Sequence, residues 1–392
     1  MSDPFNFPQQ DLLRYGGLVA DAVERITASG QVILGEGVRG FEAAFASWLG
    51  AGCQPEQVIG VANGTDALEL ALRAAGVAPG DRVLLPSHTA YATAAAVLRL
   101  EGRPVFVDLA PGRSVLCANH LQHLISSDAG GDSGVGPFRA VLAVHLYGEV
   151  CDLAALREVC DRHGLALIED CAQACGSRYQ NQAVGVWGDF AAFSFYPTKN
   201  LAAFGDGGAL VVNRAGAVEA ARRSRFYGWD RERRAVQFGV NSRLDELQAW
   251  VLLGKLADLA AQIDQRRQVA SWYAGLLHDL PLLLPGDGAD WRHSYHLHVI
   301  RLEPALRERV LREGLRQRLP LSLHYALACH QHPYLLERFG PQPSLPETER
   351  RLAEILTLPL HPFLPQACVQ TVAAGLRTLI AGAAADGAAA RS

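Results

Sequence analysis

The sequence predicts an α/β fold, with a large domain built on a mainly parallel sheet flanked by helices and a smaller domain toward the C-terminus. Two observations carry that expectation. Between about 60 and 215, short apolar runs alternate with helical patterns, giving candidate strands at 82–85, 105–108, 140–146, 165–169, 190–195 and 209–212. Candidate helices fill several gaps, at 66–75, 91–100 and 153–163. Such alternation builds parallel sheets with helices on both faces. Beyond it, one long helical pattern over 243–277 leads to a second set of elements at 296–303 and 350–380.

The individual elements have local reasons. The helix at 153–163 closes on Arg162-His163-Gly164, a cationic last turn followed by a glycine stop. Residues 126–137, SSDAGGDSGVGP, are loop by composition. The Ala-rich tail after 381 is expected to fray. Residues 1–250 are assigned to the large domain and 251–392 to the small one.

Bulk composition excludes several classes. A chain of 392 residues can bury a sizeable core, and its formal net charge is only -4. That balance provides no basic footprint for nucleic acid or for an anionic membrane surface. The apolar stretches are strand-sized, too short to span a bilayer. The opening MSDPFNFPQQD lacks the basic and apolar regions of a secretion signal, so a cytoplasmic protein is expected. Eight cysteines contain no CxxC pair and read as free thiols, and no metal site is expected.

Lysine usage is sharper. Among 36 basic residues only Lys199 and Lys255 are lysines. Arginine cannot form a Schiff base or lose a proton at useful pH, whereas lysine does both. Lys255, in the helical stretch LLGKLADLA, reads as a chance survivor of an arginine-rich coding background. Lys199 has neighbours that suggest a task.

In an open α/β sheet, ligands bind at the carboxyl ends of the strands. Three such ends hold polar groups. Asn63-Gly64-Thr65-Asp66 turns and caps a helix whose exposed amides suit a phosphate, although an ordinary capped helix looks the same. The apolar run 165–168 ends in Glu169-Asp170, and a buried carboxylate there needs a partner. A pyridinium nitrogen is one such partner; the start of the next helix is another. The run Phe193-Ser194-Phe195-Tyr196-Pro197-Thr198-Lys199 then delivers the rare amine, followed by Gly205-Asp206-Gly207-Gly208. Phosphate turn, strand-end acid and lysine, in that order, suit pyridoxal 5'-phosphate (PLP) chemistry.

These motifs resemble the DegT/DnrJ/EryC1/StrS aminotransferases, which act mostly on nucleotide-linked keto sugars. The resemblance runs from about Ile33 to Pro362 and rests on GEGVRGFEAAFASWLG, NGTDALELAL, GDRVLLPSHTAYAT, VHLYGEVCDL, IEDCAQACGSRY, FSFYPTKNLAAFGDGG, NSRLDELQA and LPLHP. It implies PLP-dependent aminotransferase fold type I, with a seven-stranded, mainly parallel sheet and a smaller C-terminal α+β domain. It also implies residue roles. Lys199 carries the cofactor as a Schiff base and moves the proton, and Asp170 pairs with the pyridine nitrogen. Gln173 lies near the ring hydroxyl. Gly64, Thr65 and Ser194 hold the phosphate, joined by Asn241 of a second subunit, so a homodimer with shared active sites is expected. One departure stands out: the family places an aromatic after the Thr of PxxTxxAT, and here that residue is Ala90. His88 and Tyr91 are the candidates for the missing stacking face.

The resemblance further implies L-glutamate as amino donor and a nucleotide-linked keto sugar as acceptor. The stretch Tyr227-Gly228-Trp229-Asp230 through Asn241-Ser242-Arg243 looks like the branch acting on dTDP-3-keto-6-deoxyhexoses. Two other classes compete. A sugar dehydratase of the same fold carries histidine at the lysine position, and Lys199 speaks against it. A non-catalytic PLP-binding regulator would need a DNA-binding module or basic patch that the sequence lacks. His145 reads as a packed strand-end histidine, and His324-Tyr325 as lying near the active-site entrance.

Overall fold

The computed structural model describes residues 3, 5–128 and 136–389. The loop expected at 126–137 falls mostly outside them. Seven strands form the main sheet: β1 (Val58–Val61), β2 (Arg82–Pro86), β3 (Arg103–Val107), β4 (Phe138–Val144), β5 (Ala166–Asp170), β6 (Phe190–Ser194) and β7 (Gly208–Val212). Their spatial order is β1-β7-β6-β5-β4-β2-β3. The pairs from β3 across to β6 are parallel, and β7 runs antiparallel to both of its neighbours. All six strands read from the sequence form, each within two residues at either end. The missing one was β1, whose four residues VIGV include a glycine and make too short a signal.

Alternation along each strand divides the core into two layers. Ala191 and Phe193 of β6, with Ala209 and Val211 of β7, face one apolar cluster. Phe190, Ala192, Leu210 and Val212 face the other. Helices α1 (Phe7–Tyr15), α2 (Gly17–Ser29) and α3 (Glu36–Leu49) precede the sheet. Helices α4 (Gly64–Ala74), α5 (Tyr91–Arg99), α6 (Ala118–Ser127), α7 (Leu153–His163) and α8 (Val218–Ser224) occupy the connections. The α7 helix ends as its residues dictate, with Gly164 left-handed at φ 64°.

The long pattern at 243–277 is two helices, α9 (Glu246–Leu256) and α10 (Leu259–Leu277), broken at Ala257-Asp258. Helical periodicity does not see the break, because the Asp258 carboxylate is held from outside by the Tyr15 hydroxyl at 2.7 Å. The boundary expected at 250 falls inside α9, which packs on α2 and α3. Beyond α10, a three-stranded antiparallel sheet joins 282–283, His298–Leu302 and Ile355–Leu358. It packs against α10, α11 (Pro304–Arg316) and the helix Gln366–Ala389 around its own apolar cluster. The tail expected to fray after 381 continues that helix as far as Ala389. Among the described residues, no helix is long and apolar enough to cross a membrane.

Candidate active site

The polar strand ends converge as the topology requires. A cleft of about 310 Å3 is lined by Gly64, Thr65, Thr93, Asp170, Gln173, Ser194 and Lys199, together with Ala90, Tyr196 and Asp206. Six of the expected site residues therefore meet in one place, drawn from β5, β6 and the start of α4.

Each is held by identifiable contacts. Asn63 caps α4, its side chain accepting from the Asp66 amide at 2.8 Å. The first amides of α4 have no intrahelical acceptor and lie at the positive end of the helix. Gly64 is obligatory here for lack of space: a Cβ would stand 2.7 Å from the Cβ of Ser194. Gly208 of β7 is equally crowded, since a Cβ there would meet the Asn63 carbonyl at 2.5 Å. The helix start is thus pressed against the ends of β6 and β7, and the Thr65 and Ser194 side chains flank it. Amides and hydroxyls at a helix N-terminus suit a phosphate group.

Asp170 is buried at the end of β5. One carboxylate oxygen accepts from the Thr93 hydroxyl at 2.9 Å and the other from the Ala172 amide at 3.1 Å. Burial raises its pKa above the ordinary carboxylate range, while these hydrogen bonds and the charges of Lys199 and His145 pull it down. A cationic ring nitrogen would shift that balance further toward the ionised form.

Lys199 sits on the connection after β6. The Phe195 amide donates to the Gly207 carbonyl at 2.8 Å, and the Phe195 ring is driven edge-on into Phe41 and Phe45. On its other side, Asn200 donates to the Cys175 and Ser294 carbonyls. The lysine between these anchors has no hydrogen-bond or ion-pair partner for its Nζ among the described residues. Burial lowers its pKa to about 8, with Asp170 opposing. An uncommitted amine of depressed pKa is a nucleophile toward aldehydes.

Gln173 is fixed by two partners. Its Oε1 accepts from the Tyr147 amide at 2.8 Å and its Nε2 donates to the Tyr325 hydroxyl at 2.8 Å. His324 and Tyr325 line an adjoining cavity of about 570 Å3, which shares Gln173, Tyr196 and Lys199 with the first. The donor set thus fits a phosphorylated pyridine aldehyde.

Other expected residues lie elsewhere. Asn241 is exposed and does not line the cleft of its own chain. Neither candidate for the stacking face reaches the cleft. His88 is fully buried, its Nε2 2.6 Å from the Tyr147 hydroxyl, and burial lowers its pKa to about 3. Tyr91 starts α5 with its ring against His332 at 5.0 Å between centroids. Both side chains are claimed by packing, which leaves the small Ala90 on the wall. His145 is packed as expected, bonded to Glu169 at 3.1 Å and to the Cys151 amide. With Cys171 these two groups bring three ligand-type atoms within 4.8 Å of one another, but Glu169 is already engaged by the Gly185, Trp187 and Gly188 amides.

Sequence reasoning missed Thr93 and Tyr147 as partners of the site, whereas Tyr325, expected near the entrance, lines the adjoining cavity and holds Gln173. Thr93 alone left a signal, a hydroxyl in the first turn of the helix after a buried strand. Lys255 is also not the stray residue it seemed. It is buried against Asp11 of α1 and donates to the Ala202 carbonyl, three residues from Lys199. The helix face that carries it is covered by α1, a long-range contact that the local pattern could not reveal.

Comparison with known proteins points to one family. The model of the DegT/DnrJ/EryC1/StrS aminotransferase family matches residues 16–377. The chain is 39% identical over 374 residues to a dTDP-3-amino-3,4,6-trideoxy-alpha-D-glucose transaminase of Micromonospora megalomicea, covering 93% of this chain and 95% of that protein. A protein of the same description from Streptomyces venezuelae is 40% identical over 351 residues, with 88% of each chain covered. Among solved structures, DesV of S. venezuelae in complex with a ketimine intermediate is 36% identical with a TM-score of 0.85, covering 95% of this chain and 97% of that one.

Proposed function

Since the chain belongs to the DegT/DnrJ/EryC1/StrS aminotransferase family, we propose that it uses PLP to move an amino group from L-glutamate to a nucleotide-linked keto sugar, a dTDP-3-keto-6-deoxyhexose. The observation that carries the cofactor is the shared cleft of Lys199, Asp170 and the α4 start. The acceptor rests on the two relatives described as transaminases of a dTDP-linked 3-amino sugar.

Lys199 would hold the cofactor through its amine, Asp170 its ring nitrogen, and Gly64, Thr65 and Ser194 its phosphate. Bound there, PLP supplies an electron sink for the carbon that gains or loses the amino group. The chain's own contribution is positional and protonic. Lys199 Nζ would take the proton from the donor's α-carbon as a general base and give it back as a general acid. Asp170, held by Thr93, keeps the ring nitrogen protonated. Gln173, braced by Tyr147 and Tyr325, orients the ring edge. Asn241 reaches the phosphate of a partner subunit, in a cytoplasmic homodimer.

Purified protein supplied with PLP, glutamate and a panel of 3-keto and 4-keto nucleotide sugars tests the reading through 2-oxoglutarate release. Release with the dTDP-3-keto sugar, lost in Lys199→Ala, is expected. Failure of every sugar in the panel to sustain release beyond one equivalent per site, or undiminished release in Lys199→Ala, overturns it. Bleaching of the yellow protein by glutamate alone separates an enzyme from a cofactor-binding regulator, and sugar consumption without amine incorporation would reveal a dehydratase.

A further inference from the structure

A third cavity, of about 200 Å3, shares no lining residue with the Lys199 cleft and only Leu297 with the adjoining cavity. Three guanidinium groups line it, those of Arg113, Arg301 and Arg351. Arg113 gives its Nε to Glu149 at 2.8 Å and its Nη2 to the Val150 carbonyl. Arg301 makes no hydrogen bond through its guanidinium among the described residues, and its Nη1 stands 3.7 Å from Glu354 Oε2. Arg351 donates to the Arg113 carbonyl at 3.1 Å, and its Nη1 stands 3.8 Å from the same Glu354 oxygen. That oxygen is buried and accepts no hydrogen bond.

Three cations therefore meet two carboxylates, Glu149 and Glu354, and one positive charge is unmatched. Such an excess is costly where water is partly excluded. Burial and the Arg301 charge lower the Arg351 pKa to about 10. The other two arginines are within reach of solvent, their side chains keeping 28% and 22% of their surface. The rest of the lining is largely apolar, with Leu283, Trp291, Leu297 and Val299, and Leu283 is 57% exposed. The Arg113 guanidinium lies 5.0 Å from the Trp291 ring centroid, so the cationic and apolar parts adjoin.

We propose that this cavity is a second ligand site, which takes a small monocarboxylate with an apolar or aromatic body. The carboxylate supplies the one missing negative charge and accepts from Arg301, whose planar donors are otherwise unused. The apolar body covers Leu283 and Trp291. A nucleotide diphosphate would bring more charge than is unmatched, and a free sugar would leave the apolar lining bare. None of the residues assigned to the cofactor lines the cavity, so the site stands apart from the reading of Lys199.

Calorimetric titration of the PLP-loaded protein with benzoate, benzamide and acetate tests the site. Benzoate is expected to bind at one equivalent per chain. Benzamide, its uncharged counterpart, should bind roughly 10- to 100-fold more weakly, the worth of hydrogen bonds to a charged group. Acetate, which has no ring to bury, should bind roughly tenfold more weakly or worse. Arg301→Gln removes the preference for benzoate over benzamide, and Arg301→Lys recovers part of it. Leu283→Asp, at an exposed position where folding is not at risk, abolishes benzoate binding without touching an arginine. Arginines that only tie these segments together predict no benzoate binding and a loss of thermal stability alone in Arg301→Gln, which would overturn the proposal. Equal affinity for acetate and benzoate would also overturn it, as would benzoate binding lost in Lys199→Ala but kept in Arg301→Gln.

Discussion

The hydroxyl of Thr93, on the first turn of α5, donates to the carboxylate of Asp170 at 2.9 Å, and the Thr89 hydroxyl stands 3.0 Å behind it. A buried acid is thereby aimed at the cleft by a helix that follows a different strand.

Removing that hydroxyl tests its part. Thr93→Val keeps shape and deletes one hydrogen bond to a charged group, worth about 1.5–3 kcal/mol. The expected result is a fall in kcat/KM of roughly 10- to 100-fold, with the fold intact by circular dichroism. Unchanged kinetics would remove Thr93 from the positioning of Asp170.

Lys199 predicts a pH profile. Only the neutral amine attacks an aldehyde, and burial lowers this lysine to about 8. PLP uptake by cofactor-free protein should therefore speed up as pH rises toward 8 and level off above it. The Asp170 charge raises the lysine's pKa, so Asp170→Asn moves the inflection to lower pH. A rate still climbing through pH 10, as for an ordinary lysine, would contradict the assignment.

Gly64→Ala places a methyl group 2.7 Å from the Ser194 Cβ, at the start of α4. The backbone there must shift away from β6, spoiling the phosphate cradle. PLP affinity measured by fluorescence titration should drop by at least tenfold, with a smaller change in thermal stability. Equal affinity would mean that the phosphate binds elsewhere.

Lys255→Met leaves Asp11 buried without its cation. Breaking a buried pair by removing one partner costs about 3–5 kcal/mol, to be read by urea denaturation. The double variant Asp11→Leu/Lys255→Met should recover most of that loss. Since Lys255 also holds the Ala202 carbonyl, the single variant should loosen the Lys199 connection and weaken PLP retention.

Much of the site could be read in one dimension because strand-end chemistry is local. Asp170 follows its own apolar strand, Lys199 its own, and Asn63-Gly64 its own turn; parallel topology then gathers strand ends without further instruction. What brings Thr93 to Asp170, Tyr325 to Gln173 and Asp11 to Lys255 is contact between segments 77, 152 and 244 residues apart. The same holds for the fate of His88 and Tyr91, which local sequence left free to face the cleft and packing turned to Tyr147 and His332. Periodicity reports which face of an element is apolar; which neighbour covers it is decided only when the whole chain closes. That is why the amine at 199 could be named from the sequence, while the buried pair of Lys255 with Asp11 appeared only in the folded structure.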